Sequence, residues 1–250
     1  LYFIESGWDI KELQKLMVMS STYQQSSIAN TEKLNQDKQN ILLARGPAKR
    51  LTGEMIRDNA LVASGLLNDR IGGESVKPYQ PNGLWKVNGA EYIEDKGDKM
   101  YRRSMYTIWK RSVPNPTIAT FDAPDRSYCI IQRQETNTPL QALVLLNDPT
   151  FIEAARVLGE KMLVYDNPEE SIDFTFRKLT GRKAKMEELA ALVALFEDEY
   201  ELFKASPRKA EGWLNTGQFR ISSDDDRTKV AANAVVASTI MNTDASITKR

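Results

Sequence analysis

Histidine is absent from this chain of 250 residues, and cysteine occurs once, at Cys129. Without histidine no side chain titrates near neutrality at its ordinary pKa, and the commonest ligand for zinc and haem iron is missing. A single thiol closes no internal disulfide. It does not fix the redox compartment either, because large exported domains often lack disulfides. Zinc, haem and Ser-His-Asp chemistry are therefore not expected within the chain. Charge of one sign is also lacking. Lys and Arg number 34 and Asp and Glu number 34, a formal net charge of zero, so no overall field draws the molecule to nucleic acid or to an anionic membrane. No apolar run, Ala142 to Leu146 included, approaches the roughly 18 residues that span a bilayer. No G-x-G-x-x-G, P-loop, G-x-S-x-G or C-x-x-C-H pattern occurs, so no standard cofactor motif is expected here.

What is present suits a folded domain. The 41% hydrophobic content fills one large core or two small ones, and 27% charged residues is ordinary for a soluble protein. The chain opens inside patterned sequence, LYFIESGWDIKELQKL, with no signal peptide of its own. An upstream targeting signal and further domains are compatible with that opening.

The pattern is mostly helical, with long ordered loops and little or no β-structure. Asp9 is a good N-cap, and Ile10, Leu13, Leu16, Met17 and Ser20 predict an amphipathic helix to about Ser21. Residues 24–40 are polar and read as a loop. A second helix is predicted from Thr52, with Met55, Ile56, Leu61, Val62 and Leu66 inside and the Gly72-Gly73 pair as its end. From Gly72 to Lys99 the chain reads as an ordered loop pinned by Tyr79, Leu84, Trp85 and Tyr92. Met105, Ile108 and Trp109 give Arg102 to Arg111 a helical pattern that Pro114 and Pro116 stop, and Tyr128 to Ile131 is the one short strand candidate. Thr138 and Pro139 open a helix through Leu140, Leu143 and Val144, and Asp148 and Pro149 open the next. Helices are then predicted at Pro168 to Leu179, Met186 to Phe203, Pro207 to Leu214 and Thr228 to Met241. The acidic run Asp224 to Asp226 lies where it favours the last helix dipole. The expectation is one domain over residues 1–250, with a soft division near 165–168 between a loop-rich and a simple helical half.

The segment Tyr101 to Pro149 holds the candidate site residues. Arg102, Arg103, Lys110, Arg111, Arg126 and Arg133 crowd it, and guanidinium groups suit carboxylate, sulfate or phosphate. Asp122, Asp125 and Glu135 share the segment, so internal ion pairs explain the same cluster. Asp122 and Asp125, in FDAPD, are a carboxylate pair of the kind that does acid/base work or binds a hard cation, and equally a turn in which each bonds its own backbone. Cys129 to Arg133 spells C-x-x-x-R, close to the sulfatase maturation motif but with Ile131 in place of its proline, and Cys129 is read as a core residue. Thr136, Asn137, Thr138 and Gln141 put polar groups at a helix start, where they hold a ligand or simply cap; Gln141 stands at the reach-back position of a capping box. Tyr79, Trp85, Tyr101 and Trp109 stack on a sugar ring or pin their loops. The ligand-binding candidates are Arg102, Arg103, Trp109, Arg133, Asn137 and Gln141, with Asp122 and Asp125 as the catalytic alternative.

The words YRRS, FDAPDR, TNTPLQAL and LLNDP, in that order, resemble the planctomycete-specific C-terminal domain of unknown function. FIESGWDIKELQKLMVMSSTYQQSS, RGPAKRLTGEMIRDNALVASGLL and IGGESVKPYQPNGLW extend the resemblance over nearly the whole chain. It adds Asn147 to the motif residues. The end departs from the family pattern, with Ala245 and Ser246 where an aromatic usually follows the acidic residue. The resemblance implies export to the periplasm or cell surface, and upstream domains of the same polypeptide that include a cytochrome c domain carrying haem c. It also implies a sulfatase-like neighbour protein and a part in polysaccharide use or electron transfer. It implies no catalytic residues. The combined expectation is a non-catalytic binding or scaffold module packing against the cytochrome c-containing region, with a glycan or anion as ligand. The alternative is a polysaccharide-acting hydrolase using paired carboxylates.

Overall fold

A computed structural model of the protein describes residues 1–221 and 226–249. It bears out the mostly helical expectation: twelve helices and one two-stranded sheet among the described residues. None of these helices is long and apolar enough to cross a membrane. The chain divides into two compact units, residues 1–50 with the C-terminal residues from Thr248, and Leu51 to Ile247.

The smaller unit holds α1 (Tyr2–Glu5), α2 (Ile10–Val18), α3 (Thr31–Gln36) and the antiparallel pair β1 (Lys49–Arg50) and β2 (Thr248–Lys249). The Asp9 side chain accepts from the backbone N–H groups of Lys11 and Glu12, so α2 starts where the sequence places it. Within 24–40, read as loop, Asn30 accepts from Lys33 N–H and starts α3. TEKLNQ carries one leucine, so periodicity could not reveal a helix made by its cap. The following turn is tied by Asp37, whose carboxylate accepts from the N–H groups of Ile41 and Leu42.

The larger unit begins with α4 (Gly53–Ser64), started by Thr52 and ended by Gly65 in the left-handed region (φ 75°). That end comes well before Gly72-Gly73. Ile56, Leu61 and Leu66 are buried as expected, but Met55 and Val62 are exposed, because the inner face also carries Arg57, Ala60, Ala63 and Ser64. The helices α5 (Pro116–Thr120), α6 (Pro139–Asn147) and α7 (Pro149–Met162) follow the long loop. Asp148 ends α6 and caps α7, which makes the expected corner. Next come α8 (Pro168–Thr180), closed by Gly181, then α9 (Met186–Ala205), α10 (Pro207–Leu214), α11 (Arg227–Met241) and α12 (Asp244–Ile247). Asp226, the last of the acidic run expected to favour the helix dipole, caps α11; Asp224 and Asp225 lie outside the described residues.

The centre of this unit is α7 packed on α11. Val230, Ala231, Ala232, Ala234, Val236, Ala237 and Ile240 are all fully buried, so α11 is apolar almost all round, as a central helix must be. Small residues let the backbones approach: a Cβ on Gly159 would stand 2.7 Å from the Val230 carbonyl oxygen.

The loop between α4 and α5 is ordered without long elements. Short 3-10 turns occur at Leu84–Asn88, Gly97–Tyr101 and Ser104–Tyr106, and Asn68 and Val76 bridge to Arg102 and Thr107. These bridges replace the helix predicted at Arg102 to Arg111, drawing its backbone into extended pairing and leaving Met105 exposed. Tyr128 to Ile131 forms no strand, and Cys129 is exposed rather than in the core. No neighbouring strand pairs with that stretch, so its apolar side chains gain no cover.

Candidate functional site

The predicted site residues are dispersed over the loop-rich surface of the larger unit. Arg102 is buried, its Nη2 donating to the carbonyls of Arg70 (2.8 Å) and Gly72 (2.7 Å) and its guanidinium lying 3.9 Å from the Tyr106 ring centre. Arg103 pairs loosely with Asp58 (3.7 Å), and Arg133 pairs with Glu54 (2.8 Å), so neither arginine meets the aspartates of its own segment. Trp109 donates through Nε1 to the Asp125 carbonyl (3.3 Å) and carries Arg126 over its ring. Asp122, at φ 60°, accepts from the N–H and hydroxyl of Thr136 at 2.8 to 2.9 Å. Asp125 accepts from Ser127 N–H within its own turn.

Asn137 is exposed, and Gln141 is almost wholly buried. Gln141 completes the capping box with Thr138 and donates to the Thr120 carbonyl (2.9 Å) and the Thr136 hydroxyl (3.1 Å). The structure therefore brings Asp122, Thr136, Thr138 and Gln141 together as one hydrogen-bonded joint between α5 and α6. It leaves Arg102, Arg103, Trp109 and Arg133 in separate places.

A cleft of about 730 Å³ opens beside that joint, between residues 79–82, α6 and residues 216–218. Its aliphatic wall is Leu140, Leu143 and Val144 of α6. That helix turns its sequence pattern inside out: Gln141 and Leu145 are buried, while Leu140 and Leu143 are 59% and 54% exposed. Gln80, Asn82 and Asn147 bring side-chain amides to the lining and Glu94 a carboxylate, while the Gln218 amide is taken up by the Gly97 N–H (3.2 Å) and the Asp95 carbonyl (3.1 Å). The Gln80 Nε2 is buried without a hydrogen-bond partner among the described residues. Leaving such an amide unpaired costs on the order of 1–3 kcal/mol, a cost that a bound acceptor would remove.

Rigid anchoring lies beneath the cleft. Glu153 of α7, 1% exposed, accepts from the Tyr101 hydroxyl (2.9 Å) and the Phe219 N–H (2.7 Å). The Tyr79 hydroxyl accepts from Gln218 N–H (2.7 Å). Burial, and secondarily the negative Glu153 nearby, push the Tyr79 and Tyr101 hydroxyls far up from their ordinary pKa, so both stay protonated and neither serves as a base. Gly217 sits at φ 93°, and a Cβ there would overlap the Glu153 carboxyl carbon at 2.2 Å, so this turn admits only glycine. Asp148 also lines the cleft, but one oxygen caps α7 through Thr150 N–H (2.8 Å) and the other accepts from the Thr117 hydroxyl. Both oxygens are in structural use.

Of the motif residues, Asn147 alone lines this cleft. Sequence reasoning passed over Gln80, Asn82, Glu94 and Gln218 because each is an ordinary loop residue. The usable signal was in α6, where a helix otherwise apolar carries one glutamine at the position a capping box demands.

The model of a family described as "PSD1: Protein of unknown function (DUF1553)" matches residues 1–196 of the chain. Neither a curated protein nor a solved structure matches it.

Proposed function

Since the chain belongs to that family of unknown function, its site must argue its role, and we propose a non-catalytic docking module that seats an extended segment of its own parent polypeptide in the cleft of the larger unit. The observation that carries this reading is the inverted helix α6. Exposing two leucines costs apolar burial that a partner's side chains would recover, at roughly 25 cal/mol per Å² covered. The amides of Gln80, Asn82 and Asn147 suit a peptide backbone, since each both donates and accepts.

The family resemblance supplies the setting of the proposal. The parent is an exported protein of the periplasm or cell surface, and the docked segment belongs to upstream domains that include a cytochrome c domain with its haem. A glycan is the second occupant considered, in keeping with polysaccharide use and a sulfatase-like neighbour. Of the four aromatics considered for stacking on sugar, Trp85 and Tyr101 are buried, which favours the peptide. Hydrolysis through Asp122 and Asp125 has less support. Neither residue lines the cleft, and each carboxylate holds backbone of its own loop.

The test is a photo-crosslinker at Leu143 in the full-length parent polypeptide, read by mass spectrometry. Cross-links to an upstream segment of the same polypeptide are expected. Cross-links to added oligosaccharide alone, or none to protein, would overturn the proposal.

A further inference from the structure

Arg102 has a property that the cleft does not use. It is 6% exposed and belongs to no ion pair among the described residues, its charge being answered by the carbonyls of Arg70 and Gly72 and by the Tyr106 ring. A desolvated guanidinium facing only neutral groups is costly, because dipoles return little of the lost hydration. Its Nε is buried without a partner among the described residues, and both hydrogen bonds of the guanidinium are made by Nη2, which leaves Nη1 open.

Space lies beside it. A hollow of about 510 Å³ is lined by Asn68, Arg70, Gly73, Glu74, Val76, Asp98, Lys99 and Arg102. Gly73, at φ 92°, keeps side-chain atoms off this edge; a Cβ there would stand 3.6 Å from Nη1. Three cations and two carboxylates face the hollow. Lys99 stays at the rim while pairing with Glu74 at 2.7 Å, and Arg70, Lys99 and Arg102 against Glu74 and Asp98 leave a surplus of one positive charge. The hollow is held open by backbone, since Asn68 pairs with Arg102 across a bridge and the Tyr106 hydroxyl accepts from Gly72 N–H.

We propose that this hollow is a binding site for a carboxylate group, held by the free Nη1 of Arg102 with Arg70 and Lys99 at its rim. One surplus charge matches a monoanion better than a dianionic phosphate or sulfate. With Nη2 occupied by two carbonyls, the contact is made through Nη1 rather than as a two-pronged fork. The site is separate from the α6 cleft, and its existence does not depend on what fills that cleft.

The test is a titration of the intact chain, observed through the arginine side-chain N–H signals by NMR. The probes are sodium acetate, sodium galacturonate, and a short peptide with a free C-terminus beside its amidated twin. Saturable shifts of the Arg102 signal are expected with each carboxylate and not with chloride or the amide. Acetate, galacturonate or peptide binding most tightly identifies a free acid, a sugar acid or a chain terminus as the source. Arg102→Gln should abolish the saturable carboxylate shifts of the neighbouring Gly73 and Lys99 backbone amides. Because Arg102 also ties the loop and that variant is at risk of misfolding, Arg70→Gln and Lys99→Gln at exposed positions serve as well, each weakening binding at least threefold. No saturable response, an equal response to chloride, or unchanged binding in both rim variants would overturn the site.

Discussion

Helices α7 and α11 cohere through apolar contact, with fully buried alanine, valine, leucine and isoleucine side chains and a glycine where the backbones meet. The loop from α4 to α5 is held by a few buried polar side chains that reach out of the helices. Arg57 donates to the carbonyls of Met100 (2.7 Å) and Arg102 (2.9 Å) and to the Ser104 hydroxyl (3.2 Å); Asp58 accepts from Ser104 N–H (2.7 Å). On α7, Glu153 holds Tyr101 and Phe219, while Arg156, fully buried, reaches Glu160 and the Phe219 carbonyl. A long segment without regular structure leaves its own backbone groups unpaired, so it stays ordered only where side chains pair them. Charged residues in helix interiors thus do for the loop what leucine and alanine do for the helices.

That contrast is open to measurement. Arg57→Met keeps bulk but strands three acceptors, so unfolding in urea should show a loss of about 4 kcal/mol, with early proteolysis between residues 97 and 107. Leu158→Ala in α7 leaves a cavity in the apolar region and should cost about 3 kcal/mol with no change in loop proteolysis. If Leu158→Ala frees the loop as readily, the two regions are not held separately. The smallest effect is expected at the surface pair Arg182 and Glu188. The Arg182 guanidinium, joined at 2.7 Å, pulls the Glu188 carboxyl down to about 2. A carboxyl whose folded pKa lies below its unfolded value stabilises above roughly pH 4.5 and loses that contribution as pH falls toward 2. Glu188→Gln should therefore lower the unfolding free energy slightly at pH 7, by less than about 1 kcal/mol for so exposed a pair, and match the parent near pH 2.

Much of this was legible from residue order alone. Caps at Asp9, Thr52, Thr138 and Asp148 marked true helix starts, because a cap is a local bond between neighbours in sequence. The capping box of Thr138 and Gln141 was legible for the same reason. Met55 and Val62 were misplaced because period alone does not tell which face of α4 meets its neighbours when arginine and serine share the inner side. The supposed helix at Arg102 to Arg111 failed because the competing bridges come from residues 68 and 76, far off in sequence. The cleft was invisible for that reason too: its walls come from five separate stretches, and its most telling residues, Leu140 and Leu143, looked like core.

The close meeting of α7 and α11 also sets a clock. Asn233 donates to the Gly159 carbonyl across 74 residues of sequence, and nothing made earlier can stand in for α11 at that contact. As the chain is synthesised, Phe151, Leu158 and Met162 are already present while the wall that covers them is not. Folding of the larger unit is therefore committed late, at a pace set by closing a long loop rather than by forming helices.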